Sequence, residues 1–171
     1  PPRVDSEVPR SLVKSTPARI SILPPAPSMP VLSTWMSKSS RAPSATILLG
    51  GQRKGGEMRL FLIYPEGNFI EATEDTPFLQ IGEHKYGKPI LDRVVEPDTS
   101  ILEAKKAVLL SMDSTLRSNL SVGMPLDLAV IEKDALKISE QRRIEAQDPA
   151  FAEMSRSWSD ALRDAFTKIE V

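Results

Sequence analysis

The chain of 171 residues has no cysteine and a single histidine, His84. Without cysteine it can form neither disulfide bonds nor zinc–thiolate sites, and it cannot use a thiolate as a nucleophile. One histidine cannot build a multi-histidine metal centre. We therefore expect no metal site and no cofactor.

Long apolar runs and a large net charge are also lacking. No stretch approaches the roughly 20 apolar residues of a membrane span. The net charge of −1 gives no electrostatic reason to expect binding to nucleic acid or to an anionic membrane. The beginning of the sequence has neither the apolar core nor the small-residue cleavage site of a signal peptide, so a cytoplasmic location is expected.

Regular structure is not expected in residues 1–43. This stretch holds nine of the fifteen prolines, with six basic and two acidic residues. Proline removes a backbone donor and disfavours helix in the residue before it. The composition predicts a disordered or extended tail without stable packing, ahead of a domain over residues 44–171. The alternative is a proline-rich docking segment around Pro24, Pro25 and Pro27.

The predicted secondary structure is organised around residues 98–131. Ser100 with Glu103 three residues later is typical of a capping box at a helix start. A helix from there to about Asn119 has an apolar face with three- and four-residue spacing. That face consists of Ile101, Ala104, Val108, Met112 and Thr115. A run of turn formers follows, and residues 126–131 then predict a buried strand.

Shorter elements are predicted on either side of this unit. Strands are expected at residues 45–49, 58–64, 69–72, 78–81 and 135–139. A short helix is expected at residues 89–95 and a long helix at residues 149–169. The strand at 135–139 is expected to pair with 126–131. The last helix carries an apolar stripe large enough to pack on the domain or on a neighbouring subunit.

Three segments carry a family resemblance. They are residues 61–72 (FLIYPEGNFIEA), 86–93 (YGKPILDR) and 113–123 (DSTLRSNLSVG). In these segments and in the order of its elements, the chain resembles proteasome β-type subunits. It is most similar to the bacterial proteasome-like proteases of the ancestral-β-subunit type. The resemblance covers residues 45–171, which correspond to the second half of such a subunit.

The resemblance implies an α+β fold of the N-terminal-nucleophile hydrolase type, a four-layer αββα sandwich of which this chain carries about the C-terminal half. In the family an N-terminal threonine attacks the peptide carbonyl with its own α-amine as general base, tuned by a lysine and an aspartate. All three side chains come from the first half of the subunit. The implied partners are further copies of the chain, in a ring or an open-ring helical assembly, and peptide or unfolded-protein substrates.

The chain departs from the family pattern at the nucleophile. It begins with Pro1, and residues 1–43 do not resemble the strand-rich first half, so no residue here is assigned as nucleophile. The resemblance places three supporting residues, Glu83, Ser118 and Ser121, with Ser118 where the family has aspartate. The other interpretation of both serines is a turn at the end of a helix that satisfies its own backbone. His84 is interpreted as an ordinary loop residue.

Three hypotheses about function stay open at this point. The first is a threonine peptidase subunit, and the second is a catalytically inactive, truncated homologue that keeps only assembly surfaces. The third uses the amine of Pro1 as a base, as in tautomerases, although no flanking pattern supports it. Thr16 and Thr34 are internal and lack a surrounding strand pattern, so the chain alone is predicted not to hydrolyse peptides. Residues 1–43 are either a natural tail or the product of a disrupted reading frame.

Overall fold

The computed structural model describes residues 19–23 and 45–170. Within these ranges six strands and three helices form two antiparallel sheets and a set of helices packed against each other. In chain order they are β1 (Arg19–Leu23), β2 (Ile47–Gln52), β3 (Met58–Ile63), β4 (Phe69–Glu71), α1 (Lys88–Val94), α2 (Ile101–Ser118), β5 (Leu126–Ile131), β6 (Glu140–Ile144) and α3 (Pro149–Lys168).

The first sheet has the order β1-β5-β6, with β5 in the centre. Leu126, Leu128 and Val130 alternate along β5 and are almost completely buried. Alternate residues of a strand point to the same face, so these three side chains form one layer of the core. Helix α2 contacts β1 of this sheet. The prediction of a buried strand at 126–131 is confirmed.

The second sheet consists of two hairpins, in the order β2-β3-β4. Leu60 and Leu62 of β3 are buried on one of its faces. The other face carries Ile47, Leu49 and Phe69, each more than half exposed. This sheet therefore buries one apolar face and leaves a second one open within the described residues.

Helix α2 forms at the predicted position, but only Ala104 and Thr115 of the predicted apolar face are buried. The backbone N–H of Glu103 donates to Ser100 Oγ at 3.3 Å, and the backbone N–H of Ser100 donates to Glu103 Oε2 at 3.2 Å, which completes the capping box. The helix ends with Asn119 as its C-cap residue. At its middle, α2 lies so close to the start of α1 that a Cβ on Gly87 would be 2.2 Å from Ser111 Oγ.

Helix α3 is joined to α2 by a buried polar contact. Ser155 Oγ donates to Asp113 Oδ1 at 2.7 Å, and Arg117 reaches both residues. Ser155 and Asp113 are buried, so this contact holds the first half of α3 against α2. From Asp160 to the end of the described chain every residue is exposed.

Two predicted strands are wrong. Residues 78–81 form no strand, because Thr73 and Thr76 exchange backbone hydrogen bonds in a tight turn after β4 and the chain leaves the sheet there. Residues 135–139 also form no strand. Asp134 and Leu136 have positive φ, and Asp134 is held by Gln52 through two hydrogen bonds. The strand that follows β5 in the chain and pairs with it is instead β6.

The expectation that residues 1–43 contain no regular element is wrong at one place. Strand β1 lies within them and pairs antiparallel with β5, from Arg19 opposite Ile131 to Leu23 opposite Asp127. Its five residues fall between Pro17 and Pro24, a gap long enough for a strand although the segment is rich in proline. The rest of residues 1–43 lies outside the described residues, so the boundary at residue 43 stays a prediction.

Candidate functional site

The loop before α1 carries Glu83, the first of the three predicted supporting residues. Gly82 precedes it with a φ of +76°, a conformation that glycine adopts without strain. Glu83 Oε1 accepts a hydrogen bond from the backbone N–H of Lys85 at 2.9 Å. Glu83 Oε2 accepts one from the side-chain amide Nδ2 of Asn119 at 2.9 Å. Both oxygens of the carboxylate are therefore held by donors.

Asn119 joins this loop to the end of α2 and to the turn that follows. As the C-cap residue it donates its backbone N–H to Thr115 O at 2.9 Å. Its Oδ1 accepts hydrogen bonds from the backbone N–H of Ser121 at 2.9 Å and from Ser121 Oγ at 2.5 Å. Glu83, Asn119 and Ser121 thus form one hydrogen-bonded chain, which we call the Glu83 turn.

The hydrogen bonds of the Glu83 turn favour the ionised carboxylate. The pKa of Glu83 is lowered, first by the backbone N–H of Lys85 and then by the amide of Asn119. The positive charge of Lys85 acts in the same direction, and partial burial opposes it. Hydrogen bonds to the charged form of a carboxyl group stabilise that form. Glu83 is therefore a carboxylate at neutral pH.

The structure brings together two of the three predicted site residues. Ser118 is exposed on the last turn of α2, and its hydroxyl forms no hydrogen bond with the Glu83 turn. Ser121 also fits the local interpretation, because it closes an Asx turn with the residue two positions before it. Asn119 was missed. An asparagine within a run of turn formers after a helix was the available signal, since asparagine accepts hydrogen bonds from residues two positions later.

His84 lies next to the Glu83 turn but outside it. It is exposed, and its Nδ1 is 3.2 Å from Gly82 O. With Lys88 and Asp92, an ion pair on α1, it borders a cavity of about 460 Å³ between β3, β4 and α1. Within the described ranges, no group of three or more His, Cys, Asp or Glu side chains could hold a metal ion.

The family described as "Proteasome subunit" matches residues 20–131. The chain belongs to the proteasome subunit family. The match begins at residue 20, within β1, so it extends further towards the N-terminus than the resemblance over residues 45–171.

Solved structures agree with this assignment. Anbu from Hyphomicrobium sp. strain MC1 is 64% identical, with a TM-score of 0.70 over 72% of this chain and 53% of that chain. Anbu (ancestral beta-subunit) from Yersinia bercovieri is 52% identical, with the same TM-score and coverage. The Anbu complex from Pseudomonas aeruginosa, described as a helical assembly, is 49% identical, with a TM-score of 0.73 over 77% of this chain and 55% of that chain.

These matches confirm the resemblance to the ancestral β-subunits and the α+β fold of the N-terminal-nucleophile type. The chain spans about half the length of each of these relatives. No curated protein matches the chain. None of the helices in the described ranges is long and apolar enough to cross a membrane.

Proposed function

We propose that this chain contributes the supporting part of a proteasome-type threonine peptidase subunit of the ancestral β type. The single observation that carries the proposal is the Glu83 turn. It connects Glu83 and Ser121 by hydrogen bonds, and the family resemblance implies that both residues support the nucleophile. In such an enzyme the hydroxyl of an N-terminal threonine attacks a peptide carbonyl, and the α-amine of the same residue takes up its proton.

The Glu83 turn suits that chemistry because it offers hydrogen-bond acceptors. The carboxylate of Glu83 accepts only, and the hydroxyl hydrogen of Ser121 is directed to Asn119, which leaves the oxygen lone pairs of Ser121 available. An amine that becomes protonated during the reaction is a donor and is stabilised by such acceptors. We infer that the turn supports the amine rather than the carbonyl oxygen.

The second candidate is a catalytically inactive homologue that retains assembly surfaces. Within residues 45–170, no threonine or lysine side chain forms a hydrogen bond with Glu83, Asn119 or Ser121. Pro1, Thr16 and Thr34 lie outside the described residues. The lack of a threonine or lysine side-chain partner for the Glu83 turn within residues 45–170 supports this second candidate. That the chain by itself does not hydrolyse peptides stays a prediction.

Self-association is part of both candidates. Leu162 and Phe166 lie on the outer half of α3 and Ile169 is its C-cap residue. All three are at least half exposed. A relative that is 49% identical forms a helical assembly. We propose that this outer half of α3 contacts a second copy of the chain, and that peptides or unfolded proteins are cleaved inside such an assembly.

The experiment compares the chain with a chimera. In the chimera, the residues before Ala45 are replaced by the corresponding first half of the Hyphomicrobium relative. Both are incubated with fluorogenic peptides and with a threonine-directed epoxyketone, and labelled residues are identified by mass spectrometry. We expect no hydrolysis by the chain alone, and hydrolysis with a labelled N-terminal threonine in the chimera. The Ser121→Ala chimera is the matched control and should lose activity.

Two outcomes contradict the proposal in different ways. A labelled threonine in the chain alone makes the chain itself a peptidase. A folded chimera that neither hydrolyses peptides nor takes up the probe supports the inactive homologue.

A further inference from the structure

We infer that Asn119 is the positioning residue of the candidate site: it fixes the orientation of Glu83 and makes Ser121 a hydrogen-bond acceptor. The inference rests on the proposed function, because it explains how the Glu83 turn presents acceptors to an amine. The geometry that carries it is the pair of contacts at the two ends of one carboxamide group. Nδ2 is 2.9 Å from Glu83 Oε2, and Oδ1 is 2.5 Å from Ser121 Oγ.

The orientation of this carboxamide is determined by its neighbours at both ends. On one side lies the carboxylate of Glu83, which can only accept, so the amide must turn its NH₂ group towards it. On the other side lies the backbone N–H of Ser121, which can only donate, so the amide must turn its oxygen there. Both neighbours require the same orientation, and the flipped amide would lose both contacts.

The direction of the Ser121 hydroxyl follows from that orientation. Because Asn119 Oδ1 is an acceptor without hydrogen, Ser121 Oγ must be the donor in the 2.5 Å contact. The hydroxyl hydrogen of Ser121 is then used, and only its lone pairs remain for a third group. Asn119 therefore decides that Ser121 accepts hydrogen bonds at this site.

Asn119 is itself held in place by the backbone. It caps α2 through its N–H bond to Thr115 O, and α2 is in close contact with the loop of Glu83 at Gly87. The two ends of the Glu83–Asn119 contact are 36 residues apart in the chain. The side chain of Asn119 thus connects the end of α2 to the loop before α1.

The test is an NMR titration of the full chain between neutral and acidic pH. In the unmodified protein, we expect the side-chain amide signals of Asn119 to shift with the same midpoint as the carboxyl carbon of Glu83. The charged groups facing this carboxyl are Lys85 and His84, and both belong to its own loop. If the chemical shifts of the Asn119 side-chain amide do not change as Glu83 titrates, the inference is overturned by the unmodified protein alone.

Variants separate positioning from a purely structural role. Asn119→Ala removes both contacts, so the Glu83 midpoint should rise and the Ser121 amide signal should move upfield. Asn119→Asp keeps an acceptor for Ser121 but brings a like charge to Glu83, so the midpoint should rise further while the Ser121 signal stays. Leu120→Ala, whose side chain is fully exposed in the same turn, is the matched control and should change neither signal.

The outcomes distinguish this inference from the proposed function. Equal Glu83 midpoints in the unmodified chain and in folded Asn119→Ala overturn the inference, whatever the peptidase activity of the chimera. If Asn119→Asp and Asn119→Ala shift both signals equally, the assigned orientation of the amide is wrong. If the NMR results are as expected and the chimera is inactive, the positioning role stands and the peptidase proposal fails.

Discussion

The two sheets of this chain carry similar apolar strands but bury them differently. Leu128 in β5 is 2% exposed, whereas Leu49 in β2 is 55% exposed and Phe69 in β4 is 62% exposed. Strands β2 and β5 both carry apolar residues at alternate positions, so each presents an apolar face. What differs is the presence of a covering element. The strand pattern determines which side chains share a face, and other segments determine whether that face is buried.

The same contrast occurs within α3. Its first half is held to α2 by buried Ser155, whereas in its second half Phe166 is 79% exposed. The apolar stripe continues along the whole helix, although its cover ends after about half of the length. Exposed apolar faces of this kind typically mark interaction surfaces. If this difference in exposure reflects stability, substitutions in the covered regions should lower the free energy of unfolding more than substitutions in the open regions.

The largest expected effect is in the covered sheet. Leu128→Ala should lower the free energy of unfolding by about 3 kcal/mol, because it removes a buried side chain and leaves a cavity. Leu49→Ala on the open sheet face is the matched control and should cost about 0.5 kcal/mol or less. Urea unfolding of both variants measures the difference. Equal losses would mean that the open face is covered in solution.

The second effect concerns the contact between α1 and α2. Gly87→Ala should cost about 2 kcal/mol, since its Cβ would overlap Ser111 Oγ and force the two helices apart. Gly123→Ala is the control, because nothing lies within 4 Å of its Cβ. Thermal unfolding compares the two variants. A Gly87→Ala protein as stable as the control would show that this helix contact is looser than the structure indicates.

The third effect is on association rather than folding. Phe166→Glu on the open half of α3 should weaken self-association at least tenfold and leave the free energy of unfolding almost unchanged. Leu120→Glu, on a fully exposed side chain far along the sequence from α3, should leave association unchanged. Sedimentation velocity over a concentration series measures both. A chain that is monomeric at tens of micromolar removes the basis for this prediction and for the proposed self-association.

The sequence predicted best where the signals were local. The capping box at Ser100, the end of α2 at Asn119 and the strand β5 all depend on residues a few positions apart, and all three are confirmed. The prediction at residues 78–81 was wrong because a tight turn just before them takes the chain out of the sheet. The prediction at residues 135–139 was wrong because a contact with a distant residue decided the conformation there. Asp134 is held by Gln52, which lies 82 residues earlier in the chain.

The candidate site shows the same limit. Glu83 and Ser121 were named through the family resemblance, and the structure places both in one hydrogen-bonded chain. Ser118 was named on the same basis, but it is exposed and its hydroxyl forms no hydrogen bond with that chain. Asn119 connects the other two. Its local turn with Ser121 had a sequence signal, but its contact with Glu83 had none because that partner is 36 residues away. Single residues were thus predictable, but the contact that organises them was not.

The smallest expected effect concerns the exposed capping box at the start of α2. The pKa of Glu103 is lowered, first by the Ser100 hydroxyl and then by the backbone N–H of Ser100. A carboxyl group whose pKa is lower in the folded state stabilises the fold above its unfolded pKa, and this stabilisation is lost as the pH falls through the folded pKa. The unmodified chain should therefore lose some stability at acidic pH through this residue.

Glu103→Gln isolates that contribution, because glutamine can keep the capping box but cannot titrate. We expect its free energy of unfolding to fall less steeply with decreasing pH than that of the unmodified chain. The variant should be slightly less stable near neutral pH, where Glu103 is ionised, and should approach the unmodified chain at acidic pH, where Glu103 is protonated. Ser100→Ala is the companion variant and should lose about 1 kcal/mol at neutral pH, because the cap itself is removed. Urea unfolding from neutral to acidic pH measures both. Parallel curves for Glu103→Gln and the unmodified chain would mean that the box stabilises α2 through hydrogen bonding alone, without a contribution from the charge of Glu103.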